Sequence, residues 1–349
     1  MNENYLMRSL MFVPAHNQKL LDSSVRRDAD VLLLDIEDSV PVFDKQMARD
    51  NIKTFVRRDD LNGKLIFPRI NDRESGELLK DLTQLTIEGV HGFMYPKSTK
   101  GEDVYFVGKL LETIEYEKHI PIGTFKLIPL IETAGAIVNI KDICTICPNR
   151  VVAVAFGCED YVTDIRGKHD GEGQSIFYAR NAIVNAARFA GIVPIDTVHI
   201  KVHDLEDLEK EVKVGKNLGF DGMLVLNPKE LPIVHQYYSP TEEEVAWATE
   251  MVELAEEAIR EGKGVAVKDN KFIGPPMMKM AKNILAKHEK IVKKTSGCQK
   301  EGGGQFLLRN RIINSRGGLV FRCYIKNNIL IINYNKIWKH RNSKSQNGL

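Results

Sequence analysis

The feature that most constrains this chain is a repeated unit, in which a short apolar run ends on polar or acidic residues and a helical pattern follows. Eight such runs occupy residues 10–14, 31–38, 64–71, 92–97, 126–135, 151–160, 197–202 and 221–227. Short apolar runs that alternate with helices are typical of buried parallel strands. Eight units in about 235 residues match a (β/α)8 TIM barrel, which is typically ~250 residues long. We therefore predict an α/β fold of this class.

An open, doubly wound parallel sheet also alternates strands and helices, so it is the alternative fold. The first run is not followed by a G-x-G-x-x-G sequence, which argues against the dinucleotide-binding form of that sheet. In both folds the polar residues at the carboxyl ends of the strands form the site. The strand ends are therefore where function is expected.

The chain divides into three predicted segments. Residues 1–240 form the TIM-barrel catalytic domain. Residues 241–293 form a C-terminal helical extension that could pack on a neighbouring subunit: Thr241 and three Glu begin a helix to 261, a loop or short strand covers 265–274, and a last helix runs from Pro275 to about 291. Residues 294–349 form a basic tail, expected to be poorly ordered, with possible strands at 318–325 and 329–334.

Charge is distributed unevenly along the chain. The formal net charge of +2 is the sum of +10 in residues 294–349 and −8 in residues 1–293. An acidic main body argues against a nucleic-acid partner, whose recognition needs a basic face. No apolar run approaches the 18 or so residues of a membrane span, and the first residues do not resemble a leader, so we expect a cytoplasmic protein.

Cysteine usage agrees with a reducing compartment. Five cysteines, unevenly placed in a chain of this length, do not indicate a secreted disulfide framework. Cys144 and Cys147 form one C-x-x-C, but a single pair without a second pair at zinc spacing is weak evidence for a metal site. Buried cysteines at a helix end are the preferred interpretation.

Two acidic residues at neighbouring strand ends are the candidate metal ligands. Glu132 follows the fifth run and Asp160 follows the sixth, with few basic residues nearby to neutralise them. Carboxylates that converge on one barrel mouth form a hard-oxygen site for Mg²⁺. Each could instead cap the helix after it, and for one isolated residue that simpler interpretation would be preferred. The recurrence of acids at several strand ends favours the metal.

Other strand-end residues suit a small keto acid. The full set at the expected mouth comprises Asp35, Glu37, Asp38, Arg69, Lys97, Glu132, Glu159, Asp160 and Asn227. Arg69 offers a two-pronged contact to a carboxylate, and Lys97 adds a second cation. The amides of Ala134 and Gly135 open a helix and provide an anion site. A metal beside a keto or alkoxide oxygen supports making or breaking the adjacent carbon–carbon bond.

A Schiff-base aldolase is the alternative chemistry, and it needs a desolvated lysine on a barrel strand. Lys201 is the candidate on the predicted seventh strand, where it shares a face with His199. Surface lysines are more common, so metal-dependent chemistry ranks above the imine. No G-x-S-x-G sequence is present, which argues against an acyl-serine hydrolase.

The order of motifs resembles the citrate lyase beta-subunit family of citryl thioester lyases, within the wider group of malyl-CoA lyases and HpcH/HpaI-type aldolases. The matching stretches are 8–14, 34–38, 68–71, 96–97, 131–133, 157–164, 178–180, 219–222 and 238–244. The resemblance covers residues 8 to about 291 and implies a TIM barrel, Mg²⁺ on Glu132 and Asp160, and a keto-acid carboxylate on Arg69. It does not extend to the tail.

The implied reaction is the cleavage of a citryl thioester into oxaloacetate and an acetyl thioester. Asp38, with Glu37 beside it, is the candidate base for the hydroxyl proton. Strand alternation places Asp35 and Glu37 on one side, with Asp38 beyond the strand. Malyl or citramalyl thioester cleavage or hydrolysis would use the same metal and arginine. The acyl carrier could be CoA or an acyl carrier protein, and we expect a homo-oligomer or a place in a citrate lyase complex.

Two positions depart from the family pattern. Members usually have Gly where Ala15 stands, near the first loop. Members also typically carry, at the position of Gly274, an Asp that acts across a subunit interface as the acid or base at the thioester α-carbon. Glycine cannot transfer a proton, so another acid takes that role, the reaction differs, or the activity is impaired. A noncatalytic subunit that binds acyl thioesters is therefore the third functional alternative.

Overall fold

A computed structural model of the protein describes residues 5–262, 266–268, 271–295, 322–326 and 329–333. The chain forms two compact units, Met1–His288 and Glu289–Leu349, and each is described by itself. The first unit contains every strand-end residue of the predicted site.

Eight parallel strands form one sheet in the first unit. They are β1 (Ser9–Pro14), β2 (Val31–Asp35), β3 (Leu65–Ile66), β4 (Gly92–Tyr95), β5 (Lys126–Ile131), β6 (Ala153–Phe156), β7 (Val193–Asp196) and β8 (Gly222–Val225). Because β1 pairs with both β2 and β8, the first strand lies beside the last, as a barrel requires and the doubly wound sheet does not. The predicted (β/α)8 TIM-barrel class is therefore confirmed.

The barrel closes between β3 and β4 through the backbone around Arg69. Arg69 bridges Asp35 on one side and Met94 on the other, in parallel register. The amide of Ile70 donates to the carbonyl oxygen of Met94 at 3.1 Å, and the amide of Met94 donates to that of Pro68 at 2.9 Å. Closure thus places Arg69 in the wall of the barrel at its carboxyl end.

Helices connect the eight strands, and three more follow the last of these strands. They are α1 (Gln18–Val25), α2 (Lys45–Phe55), α3 (Leu78–Leu85), α4 (Gly101–Glu117), α5 (Ala134–Val138), α6 (Ile140–Thr145), α7 (Cys158–Asp164), α8 (Gln174–Ala190), α9 (Leu205–Leu218), α10 (Leu231–Tyr238), α11 (Glu242–Arg260) and α12 (Pro275–Thr295). Thr241 caps α11 in a capping box with Glu244, as the sequence predicted.

Strand alternation separates two cores. Leu10, Leu33, Ile128 and other inward residues fill the barrel interior, while their neighbours pack against the helices. The same period directs Asp35 inward two residues after Leu33. It directs Glu132 inward four residues after Ile128. The barrel therefore determines which acids face the mouth.

The seventh strand was predicted at the wrong place. It lies at Val193–Asp196, and residues 197–204 form a loop between that strand and α9. Pro194 made the true strand difficult to recognise, because proline cannot donate a ladder hydrogen bond. Pairing of β7 with β8 begins at Ile195, which lies beside Gly222. Because Pro194 precedes this pair, its missing N–H removes no hydrogen bond from that ladder.

Helices α11 and α12 lie in the segment that was predicted to be a C-terminal helical extension. Between them lies an antiparallel hairpin of β9 (Ala266–Lys268) and β10 (Lys271–Ile273), in the segment predicted as a loop or short strand.

In the second unit, β11 (Arg322–Lys326) pairs with β12 (Ile329–Asn333). The rest of the basic tail beyond residue 295, which was predicted to be poorly ordered, lies outside the described residues. Among the described helices, none combines the length and apolar character that crossing a membrane requires.

Candidate active site

The carboxyl ends of the strands surround a cavity of about 420 Å³. Its lining includes the predicted site residues Asp38, Arg69, Glu132 and Asp160, together with Glu159. Apolar side chains from other strands and loops complete the wall: Phe12, Pro14, Leu130, Phe156, Val198, Leu224 and Leu226. Residues that are distant in sequence therefore share one mixed polar and apolar cavity.

Glu132 is a buried carboxylate directly after β5. Glu132 is 3% exposed, and its Oε1 accepts a hydrogen bond from the backbone amide of Lys97 at 2.5 Å. The pKa of Glu132 is raised to about 8, mainly by burial and also by the negative charges of Glu37 and Asp160, while the Lys97 amide and Arg69 act to lower it. A buried carboxyl group with two acidic neighbours is suited to a cation.

Asp160 lies in the first turn of α7, four residues after β6, and it is exposed to the cavity. Asp160 was expected at the end of the sixth strand, and it lies instead on the helix that follows this strand. Asp160 and Glu132 line the same cavity, and the negative charge of Asp160 contributes to the raised pKa of Glu132. Oxygen donors on two adjacent elements, with one side open to the cavity, fit the preference of Mg²⁺ for a few carboxylates and free positions.

Arg69 is anchored by acids from the second strand. Its Nε and Nη2 each donate to one carboxylate oxygen of Asp35 at 2.7 Å, and its Nη1 lies 3.1 Å from Glu37 Oε2 and 3.3 Å from Asp38 Oδ2. Phe12 from β1 covers the guanidinium face, with 4.8 Å from Cζ to the ring centroid. The fork predicted for a substrate carboxylate is thus occupied by Asp35, and Nη1 already faces Glu37 and Asp38, so a ligand carboxylate would compete with these acids for Arg69.

The two candidate bases have different surroundings. Glu37 is 5% exposed and lies between two cations, with its Oε1 2.9 Å from Lys97 Nζ and its Oε2 near Arg69. Burial raises the pKa of Glu37. The Asp38 side chain is 61% exposed and lines the cavity. Access to a ligand therefore favours Asp38, whereas Glu37 orders the cations.

Lys97 contacts the site through its backbone and its side chain. Its φ of 52° is unusual for a non-glycine residue, and this conformation directs its amide to Glu132. Its ammonium bonds to Asp72 at 3.0 Å as well as to Glu37, so it faces acids of the chain. Lys97 does not line the cavity.

The anion site expected at Ala134 and Gly135 is engaged by the chain itself. The Ala134 amide donates to Asp164 Oδ2 at 2.7 Å. An added Cβ at Gly135 would lie 2.5 Å from Thr99 Cγ2, so the backbone there is closely covered. This differs from the expectation, because an α7 carboxylate 30 residues away in sequence already meets the helix N-terminus.

The lysine considered for imine chemistry lies outside the barrel strands. Lys201 is in the loop after β7, its side chain is 60% exposed, and its ammonium bonds to Asp207 at 2.9 Å. Its pKa is raised by that carboxylate, which is opposite to the shift an imine-forming lysine needs. His199 from the same loop is buried and bonds to Glu211 and to the Asp204 carbonyl.

Sequence reasoning missed Phe12 and Asp72. Phe12 alternates with buried residues on β1, and nothing local distinguishes it from the core. Asp72 follows the third run closely, and counting acids one position further would have included it.

Gly274 precedes α12, where its carbonyl accepts a bond from Met278 N at 3.2 Å. An added Cβ there would meet only Pro276, at 3.7 Å.

Comparisons with known proteins agree with this architecture. Residues 8–228 match the family model described as HpcH/HpaI aldolase/citrate lyase. The citrate lyase subunit beta of Escherichia coli K12 is 32% identical over 81% of this chain and 93% of its own length. The human mitochondrial citramalyl-CoA lyase is 30% identical over 80% of this chain and 84% of its own length.

A solved structure of similar fold is a citrate lyase beta subunit from M. tuberculosis, complexed with oxaloacetate and magnesium. It aligns with a TM-score of 0.56 and 25% identity, over 69% of this chain and all of its own. The family that the motifs indicated is therefore confirmed. The carbon–carbon lyase class is confirmed with it, since these relatives are lyases. The chain belongs to the HpcH/HpaI aldolase/citrate lyase family.

Proposed function

We propose that this protein is a Mg²⁺-dependent carbon–carbon lyase that cleaves a citryl thioester into oxaloacetate and an acetyl thioester. The observation that carries the proposal is the convergence of Glu132, Asp160 and Arg69 on one cavity. Two carboxylates provide a cation site, and the guanidinium beside them provides a carboxylate site. A ligand with a carboxylate next to a hydroxyl or keto oxygen satisfies both.

Glu132 and Asp160 would hold the metal. When bound, Mg²⁺ supplies a positive charge that stabilises an oxygen anion on the substrate. Glu132 contributes more than a ligand atom, because its hydrogen bond from the Lys97 amide holds its other oxygen in place. The acids around Arg69 keep the guanidinium in one orientation, so a substrate carboxylate meets a pre-positioned donor.

Asp38 is the proposed base for the substrate hydroxyl. It lines the cavity and its carboxylate is largely exposed, so a bound hydroxyl can reach it. Asp38 accepts the hydroxyl proton, the carbon–carbon bond breaks, and its electrons move to the thioester, which leaves as an enolate. The enolate carbon then takes a proton, from the protonated Asp38 or from water, and this completes the acetyl thioester. Positioned acid–base groups typically contribute 10²- to 10⁴-fold to such steps.

Citramalyl or malyl thioester cleavage is the second candidate. The similarity to a citramalyl-CoA lyase favours it, and the same metal and arginine would serve. The substrates differ in the group that replaces one carboxylate arm, and that group would meet the apolar wall of Phe156, Leu224 and Leu226. Hydrolysis of the thioester is distinguishable, since it releases the free thiol without an acetyl thioester.

Turnover by the purified full chain tests these alternatives. Citryl-CoA, malyl-CoA, citramalyl-CoA and the citryl carrier-protein thioester should be compared with Mg²⁺ and with a chelator. We expect oxaloacetate from a citryl substrate, and loss of turnover in Asp160→Asn. Asp60→Asn is the matched control, because that exposed acid bonds to Arg58 at 2.9 Å and does not line the cavity. Binding of every thioester without turnover of any would favour the noncatalytic subunit.

Assembly also belongs to the proposal. A relative is named as a subunit of citrate lyase, so we propose that this chain forms a homo-oligomer or joins such a complex. Light scattering of the purified chain, alone and with candidate partner subunits, measures this directly. A chain that is monomeric at every concentration and partner ratio tested would contradict it.

A further inference from the structure

Lys45 lies behind the candidate site and uses all three protons of its ammonium. It is 8% exposed at the first residue of α2. Its Nζ donates to the carbonyl oxygen of Ile36 at 2.7 Å, to that of Glu37 at 2.8 Å, and to Asn71 Oδ1 at 2.6 Å. An ammonium has three donors and no acceptor, so its hydrogen-bonding capacity is filled.

The first two acceptors belong to the turn that carries both candidate bases. On the opposite side of this turn, Asp35 accepts the amides of Glu37 at 3.0 Å and Ser39 at 3.1 Å. One buried anion therefore holds the amides of the turn, and one buried cation holds its carbonyl groups. The turn is fixed from two sides without any direct contact of Lys45 with the cavity.

The third acceptor connects this turn to the strand end that carries Arg69. Asn71 is two residues beyond Arg69, and its backbone amide and Nδ2 donate to Asp81 Oδ2 at 2.8 and 2.7 Å. Asp81 in turn accepts from Arg49 Nε at 2.7 Å. Lys45 thus connects the turn of Glu37 and Asp38 to the loop that follows Arg69. The carboxylates of that turn contact the Arg69 guanidinium at the mouth of the barrel.

We propose that Lys45 is a positioning residue for the lyase reaction, which holds the turn of Glu37 and Asp38 in register with Arg69. The inference rests on the function proposed above, since it assigns Lys45 to that same site. Without the ammonium, three oxygen atoms face one another with no donor between them. Their repulsion and their need for water would move the turn.

The expected effect is on the chemical step. A displacement of about 1 Å in a catalytic group can reduce the rate on the order of 100-fold, so kcat of Lys45→Met should fall by about that factor. The affinity for Mg²⁺ should stay near wild type, because Glu132 follows β5 and Asp160 lies on α7, outside this turn. KM for the thioester should change much less than kcat, because Asp35 still holds the Arg69 guanidinium. Lys45→Gln keeps two donors and should recover part of kcat.

Lys126→Met is the matched control. The Lys126 ammonium also donates to two backbone carbonyl oxygens, of Gly123 at 2.7 Å and Asn149 at 2.9 Å. It lies at the first residue of β5, at the end of the barrel opposite to Glu132. This variant should keep wild-type kcat, and thermal melts should verify that all variants are folded.

Hydrogen exchange provides a second measurement that does not need activity. Lys45→Met should accelerate exchange in the peptide covering 36–40 and leave 126–133 unchanged. If wild type turns over no thioester, the proposed lyase function fails, and this exchange pattern still decides the role of Lys45. Wild-type kcat or unchanged exchange at 36–40 in Lys45→Met would overturn the inference. Faster exchange throughout the barrel, with kcat, KM and Mg²⁺ affinity all impaired, would also overturn it by showing a merely structural role.

Discussion

Gly157→Ala should weaken Mg²⁺ binding through a single added methyl group. Gly157 immediately precedes α7, and a Cβ built there would lie 3.1 Å from Glu132 Oε2 and 3.0 Å from Glu132 Cβ. Its φ of −100° is accessible to alanine, so the backbone itself tolerates the change. The steric conflict therefore acts on the candidate metal ligand.

The magnitude follows from the contact distances. Ordinary carbon–oxygen contact begins near 3.4 Å, so the Glu132 carboxylate must move by a few tenths of an ångström. Mg²⁺ requires oxygen ligands at about 2.0 to 2.1 Å in nearly ideal geometry, and displaced ligands are poorly tolerated. Changes to groups that position metal ligands typically cost 10- to 100-fold in affinity, and we expect a loss of about that size.

Calorimetric titration of the purified chain with Mg²⁺ is the assay. Gly108→Ala is the matched control, because its Cβ would lie 3.0 Å from Cys147 Sγ, far from the cavity. Overpacking costs about 1 to 3 kcal/mol, and in Gly108→Ala the gain in helix propensity inside α4, about 1 kcal/mol, offsets part of that cost. Both variants should stay folded in thermal melts, but only Gly157→Ala should lose Mg²⁺ affinity. Wild-type Mg²⁺ affinity in a folded Gly157→Ala chain would refute the assignment of Glu132 as a ligand.

Further predictions concern substrate binding, proton transfer, pH and imine chemistry. Arg69→Lys should weaken oxaloacetate binding by about tenfold or more in calorimetry, because one ammonium cannot reproduce the two bonds to Asp35; unchanged affinity would contradict it. Gly274→Asp should raise citryl thioester turnover by up to roughly 10²- to 10⁴-fold if the α-carbon acid is missing, and no increase beside good wild-type turnover would indicate another acid. Burial raises the pKa of Glu230 to about 7, so the free-energy cost of ionising this carboxyl in the folded protein grows as pH rises from about 4.5 to 7. Glu230→Gln should therefore gain about 3 kcal/mol of stability at pH 8 and almost nothing at pH 4. Denaturant melts that show the same difference in stability at both pH values would refute this. Borohydride with substrate should leave no adduct on Lys201, and an adduct found by mass spectrometry would restore the imine mechanism.

The period of the sequence was enough to predict the fold class. Buried parallel strands must be continuously apolar, and the connecting helices must be amphipathic, so eight alternations are visible without any long-range information. The same local rule located Glu132 and Arg69, because polar residues that end an apolar strand lie at the barrel mouth. It misplaced the seventh strand, since Pro194 disguised the real one.

Only the tertiary structure decided the partners of those residues. Barrel closure brings Arg69 onto Asp35 and under Phe12, and neither pairing has a sequence signal because the residues are 34 and 57 positions apart. The same applies to the Ala134 amide, which donates to an aspartate of α7, and to Lys45, which bonds to main-chain carbonyl groups. Local composition determines which residues are buried or placed at strand ends. Which donor meets which acceptor depends on distances that exist only after the sheet has closed.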